Sequence, residues 1–394
     1  MSQMCTRAPA STNRSATVRP IPVAAPVMTT LEPDNLIIAS PPVWRRRRGM
    51  PETSREIQPA PAYIRGRRAV SHGPACTLSG RSPYRTIHEW EASMVSVDCH
   101  LHLGVVPDHI PEWWLTEMYR PYGGGALANY DGQWIVDLLD RSGVDVGLVQ
   151  GGDMRRTTFH PDHPADHDVF VPNDYTARQV ALFPDRLKGV AVIDPIRDIG
   201  AALEELDRCV KELDFRALKL LGSYLHFSPN DRRLDPIYEK CIELDIAAHC
   251  FTGWTPIIMA KLEHADPVQL DEVGRRFRDL KVIISMGDPW IDQCLLLVAK
   301  HPNFHADMYH YAELGPEPLF EALDRLRSLS ALDRVLYGSN NSDKVRVGRE
   351  EATVPDVYRS VNRVALERGA EPFTDEEMAA ILGGNAARLY RLGD

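Results

Sequence analysis

From Met94 onward the apolar and polar positions fall into two alternating periods. Val95, Val97, Cys99 and Leu101 alternate with their neighbours, the period-two signature of a strand. Further strand-like runs follow at 144–150, 188–193, 217–221, 246–250, 281–285, 304–308 and 334–337, which with 95–101 make eight. Helical spacing fills the gaps at about 133–142, 174–182, 199–213, 236–244, 268–277, 290–300 and 317–329, with two more helices near 355–368 and 375–390. Parallel strands need crossovers of this kind, and eight βα units close on themselves. The pattern predicts an α/β fold, a (β/α)8 TIM barrel with extra C-terminal helices. A doubly wound open sheet is the alternative.

The first 93 residues show neither period. Residues 1–90 hold 12 of the 30 prolines, 13 arginines, no lysine and five acids, including Arg45 to Arg48 in a row and a cluster at Arg65, Arg67 and Arg68. This composition predicts a disordered Arg/Pro-rich tail over 1–93 ahead of one folded unit over 94–394. A targeting or RNA-contacting arm is the sharper alternative. The same composition suits GC-rich sequence that is not translated, with Met50 or Met94 as the start.

The net charge of −10 conceals this division, because 50 acidic and 32 basic residues follow residue 90. An acidic folded part disfavours nucleic acid and anionic membranes as partners. No apolar run approaches the length of a spanning helix, and seven cysteines without a CxxC pair read as free thiols in a reducing, cytoplasmic compartment.

The chemistry concentrates at predicted strand ends. His100 and His102 flank Leu101, and residues i and i+2 of a strand share a face, so both imidazoles converge. His249 ends the fifth strand at the same rim, where barrel active sites are built. Three neutral imidazoles suffice to hold Zn²⁺ with a water in the fourth position. Cys99 and Cys250 alternate to the opposite face and read as core.

The stretches VDCHLHLG, ALFPDRLKGVAVIDP, KVIISMGDPW, RVLYGSN and ILGGNAARLYRL, with the long block from Arg216 to Trp254, resemble the amidohydrolase superfamily in its amidohydrolase-2 branch, which includes aminocarboxymuconate-semialdehyde decarboxylase. The resemblance runs in order from about Met94 to Leu392. It implies a barrel with one divalent metal, usually zinc, held by His100, His102, His249 and a strand-eight position that falls here on Asn340. It also implies a small-molecule substrate and, in many members, a homodimer. The implied activity is metal-dependent hydrolysis of a small cyclic or carboxylated compound, a lactone or amide. Nonoxidative decarboxylation of aromatic or muconate-like acids is the alternative.

Two positions depart from the family pattern. Its strand-six His falls on Ser285 and its strand-eight Asp on Asn340, and neither replacement carries a proton at neutral pH. Asp288 or Asp343 would then supply the acid–base function, with Lys219 as a further catalytic candidate whose bland alternative is an ion pair with a neighbouring acid. A non-catalytic binding homologue is the reading of another class. Trp254 and Trp290 follow strand ends and are candidate substrate contacts. His160, His163 and His167 read as a solvated loop or a lid, and Gly123, Gly124 and Gly125 as a flexible loop.

Overall fold

The computed structural model describes residues 95–120, 129–155, 169–342, 344–347 and 350–393. The predicted tail, the three-glycine loop, His160, His163, His167 and Asp343 lie outside them. Eight strands form one parallel sheet in chain order: β1 (Val97–His102), β2 (Val146–Gln150), β3 (Leu187–Val192), β4 (Ala217–Leu220), β5 (Ala247–Phe251), β6 (Val282–Ser285), β7 (Phe304–Asp307) and β8 (Val335–Leu336). Cys99 N–H donates to Tyr337 O and Asn340 N–H donates to His100 O, each at 2.9 Å. These bonds bring the end of β8 back to β1, so the sheet curls into a barrel rather than lying open.

The crossover helices form where the sequence places an apolar stripe behind a cap. In Ile199–Lys211, Ala202, Leu206 and Cys209 are buried on one face, and the Asp198 side chain accepts Ala201 N–H at 3.1 Å. Helix Val354–Arg368 starts with a Thr353 cap and Pro355 in its first turn. The helical region predicted near 375–390 is divided into Asp375–Ala379, a π-helical turn at Ala380–Gly384, and Asn385–Tyr390. Two short antiparallel ribbons, Gly152–Asp153 with Phe170–Val171 and Lys344–Val347 with Glu350–Thr353, have no counterpart in the hydrophobic pattern.

Inside the barrel the strands alternate as their period demands. Val146, Leu148, Val190, Ala217, Ala247, Ile283 and Leu336 make an apolar layer, closed by Ala386, Leu389 and Tyr390 of the last helix. Continuing along the same strand faces come Gln150, Lys219, His249 and Ser285, so a polar layer sits above the apolar one at the C-terminal rim. Cys99 packs with the interior layer and Cys250 with the cluster between sheet and helices. Both are core residues, but Cys99 lies on the face not expected of it. The cause is a register shift between Asp98 and Leu101 in β1, a bulge that lets Val97 and Cys99 face inward below His100 and His102.

Candidate active site

A cavity of about 300 Å³ opens at the C-terminal ends of the strands. Its floor is polar, with His100, His102, Gln150, Lys219 and Asn340. Its wall is aromatic: Trp114 meets Tyr224 at 5.2 Å and Tyr224 meets Phe251 at 5.4 Å between ring centroids.

The strand-one pair converges as expected, with His100 Nε2 and His102 Nε2 3.1 Å apart. His100 Nδ1 donates to Asp307 Oδ2 at 2.6 Å, which fixes its tautomer and leaves the Nε2 lone pair directed at His102. Asp98 anchors the strand below by accepting the N–H groups of His100 and Ser339. Burial and the nearby Lys219 ammonium lower the His100 pKa, while burial and His100 push His102 well below the ordinary histidine range. Both rings are therefore neutral donors at pH 7.

His249 Nε2 lies 2.7 Å from Ser285 Oγ, 3.1 Å from Asp307 Oδ2 and 3.2 Å from Lys219 Nζ. Burial, followed by the Lys219 charge, brings its pKa to about 3. Asp307 is fully buried, and burial alone would raise its pKa. The contact with His100 outweighs that and holds it ionised. His100, His249 and Asp307 thus bring one potential ligand atom each within 4.8 Å of one another.

Neutral imidazoles around one carboxylate match the donor preference of a divalent cation such as zinc. Ligands at about 2.0–2.1 Å from one ion lie roughly 3.3 Å apart at the tetrahedral angle, close to the His100–His102 separation. The buried carboxylate beside these rings, Asp307, ends β7. Asn340 does reach the site, lining the cavity together with His102. Gly338 explains why β8 can run so close, since a Cβ there would stand 2.5 Å from Asp307 Oδ1 and 3.1 Å from His100 Cβ.

The remaining candidates separate. Asp288 lines the cavity and pairs with His310, Oδ2 to Nε2 at 3.1 Å, while Glu313 Oε2 lies 3.5 Å from His310 Nδ1. The bond from His310 keeps Asp288 below the usual carboxylate range. Burial opposes a charge on His310, but Asp288 and Glu313 outweigh it and raise its pKa to about 9. Lys219 also lines the cavity, and the neighbouring-acid ion pair does not form among the described residues: its partners are Ser285 Oγ and His249 Nε2. Trp254 lines the cavity. Trp290 does not, because it stands at the cap position of helix Ile291–Lys300, where the chain has already turned away from the rim.

Sequence reasoning missed Asp307, Tyr309 and His310. An acid ending the β7 run FHAD was the available signal for Asp307. Tyr309 packs edge-on against His100 at 4.8 Å, from a helix, Tyr309–Leu314, too short to leave a periodic trace.

Comparison with known proteins agrees with this geometry. The amidohydrolase family profile matches residues 97–392. A hydratase of Sphingobium sp. acting on 2-keto-4-carboxy-3-hexenedioate is 31% identical over 345 residues, covering 75% of this chain and 96% of that protein. Among solved structures, 4-oxalomesaconate hydratase of Rhodopseudomonas palustris superposes with a TM-score of 0.50 at 22% identity, covering 75% of this chain and 96% of its own. A dihydroxybenzoic acid decarboxylase of Polaromonas sp., with bound manganese and the inhibitor 2-nitroresorcinol, gives 0.52 at 15% identity, covering 76% and 98%. Those two likenesses are of fold. The chain belongs to the amidohydrolase family, in the amidohydrolase-2 branch of small-molecule decarboxylases and hydratases.

Proposed function

We propose that the protein is a metal-dependent enzyme that adds water to a small carboxylated compound, either across a conjugated double bond or at the carbonyl of a lactone or amide. One observation carries the reading: His100 and His102 line a cavity with an aromatic wall, and His100 belongs to a buried cluster with His249 and Asp307. The identity to a hydratase along nearly its whole length supports water addition. His100, His102 and His249 would hold the ion, with Asp307 orienting the His100 ring through Nδ1 and Asn340 beside them, and zinc suits imidazole donors. When bound, the ion would supply Lewis acidity and lower the pKa of water.

The chain's own residues supply the rest. Asp288 is a cavity carboxylate that stays ionised and is held in place by the His310 ring at 3.1 Å, so it is available to accept a proton during turnover. The Trp114–Tyr224–Phe251 wall packs a planar substrate and excludes water from its far face. That aromatic wall also favours, as the second reading, decarboxylation of an aromatic acid.

The test offers the zinc-loaded protein oxalomesaconate, a lactone dicarboxylate and dihydroxybenzoate in turn. Water addition without carbon dioxide release is expected. Carbon dioxide from the aromatic acid as the sole turnover would overturn the reading, as would a metal content below about 0.2 per chain after loading.

A further inference from the structure

We propose that Lys219 is the carboxylate anchor of the cavity, taking an acidic group of a planar, conjugated or aromatic compound beside the imidazole cluster. The inference rests on the reading of a small carboxylated substrate and assigns the residue that selects it. Lys219 is 1% exposed yet lines the cavity. Its register partner across β4 and β5 is His249, so its side chain rises from the barrel interior directly beside that ring.

An ammonium has three donors. The structure gives Lys219 two partners, Ser285 Oγ at 2.9 Å and His249 Nε2 at 3.2 Å, and both are uncharged. Among the described residues no carboxylate comes within ion-pair distance of it. The nearby acid, Asp307, already has Oδ2 committed to His100 Nδ1. A buried charge without a counter-ion is costly, and an apolar side chain of similar length would fill the space more cheaply. The open side of Lys219 is the cavity, so an anion entering there supplies both the third acceptor and the missing charge.

Two further features set the ligand's orientation. Asp288 and Glu313 flank His310 at the rim after β6 and β7, so the carboxylates of the cavity stand on that side. The aromatic wall of Trp114, Tyr224 and Phe251 accommodates the body. Ser285 is the positioning residue: it stands where the family pattern has a histidine, and its hydroxyl holds the ammonium.

The test uses chelator-treated full-length protein and two probes of nearly equal shape, benzoate and its neutral counterpart benzamide, with affinities read by calorimetry. The wild type is expected to favour benzoate by about tenfold or more. Lys219→Met should lose that preference while keeping its benzamide affinity and melting temperature, and Ser285→Ala should lose part of it. Equal binding of the two probes by the wild type, or an undiminished preference in Lys219→Met, overturns the anchor. A protein that prefers benzoate through Lys219 but turns over none of the candidate substrates would sink the water-addition reading and leave the anchor standing.

Discussion

Asn341 holds the main chain of His102 at both its polar atoms: its Oδ1 accepts His102 N–H at 2.7 Å and its Nδ2 donates to His102 O at 2.9 Å. The clamp works because Asn340 and Asn341 both adopt left-handed backbone, at φ 53° and 62°, which asparagine tolerates better than most residues. Asn341→Ala is therefore expected to weaken zinc binding about tenfold, as removal of outer-shell partners does elsewhere. Competition against a chelator measures it, and unchanged affinity would mean that the β1 end holds its own shape.

The parts played by Asp307 and Asn340 can be decided by exchange. Asp307→Asn is expected to reduce metal content severely, whereas Asn340→Ala should spare most of it. The opposite ranking would return the fourth position to the strand-eight loop. His100→Ala with His102→Ala should abolish binding altogether.

Gly338→Ala tests the close approach of β8. Its Cβ would meet the Asp307 carboxylate, so the variant should fold with a lowered melting temperature and hold little zinc. Full metal content in this variant would show that β8 can shift without disturbing the ligands.

His310 gives a pH signature with a defined sign. Its folded pKa of about 9 lies above the ordinary histidine value, so the ion pair's stabilisation is fully present below about pH 6.5 and is lost as pH rises through 9. His310→Gln should cost about 2 kcal/mol at pH 6, allowing for the partly exposed Asp288 partner, and little by pH 9.5. Melting curves of both proteins at the two pH values check this, and a pH-independent gap would assign the loss to packing instead.

Asp288→Asn should keep metal content while lowering turnover roughly 10²- to 10⁴-fold, the usual range for a general base. A variant with near-wild-type kcat would move the proton transfer elsewhere. Asp343, outside the described residues, is the next position to exchange.

The proposed boundary at the tail is tested by a chain beginning at Met94. It should match the full chain in melting temperature and zinc content, and scattered proteolysis of that shorter chain would refute it.

Much of this was legible because the period-two and helical patterns are local. The strand ends carrying His100, His102, His249 and Lys219 follow from alternation alone. What escaped depends on distant partners. The bulge in β1 that places Cys99 inward exists only against β2, and the charge on His310 is set by Asp288, 22 positions away. Asp307 looked like any acid after a strand until the barrel carried it to two imidazoles. Trp290 stands at the cap of the helix after β6 and is not among the residues lining the cavity, which spacing along the chain does not reveal.

The contact between Gly383 and the residue before β1 bears on the order of events at the ribosome. A side chain at Gly383 would come within 2.0 Å of Val95 O, so the π-helical turn lies directly on the start of the first strand. The terminal helix that follows it caps the interior beneath Cys99. His100 and His102 thus leave the ribosome nearly three hundred residues before the segments that support their strand, at roughly 5–20 residues per second. The end of β1 waits, without its support, until Gly383 and the helix Asn385–Tyr390 have been made.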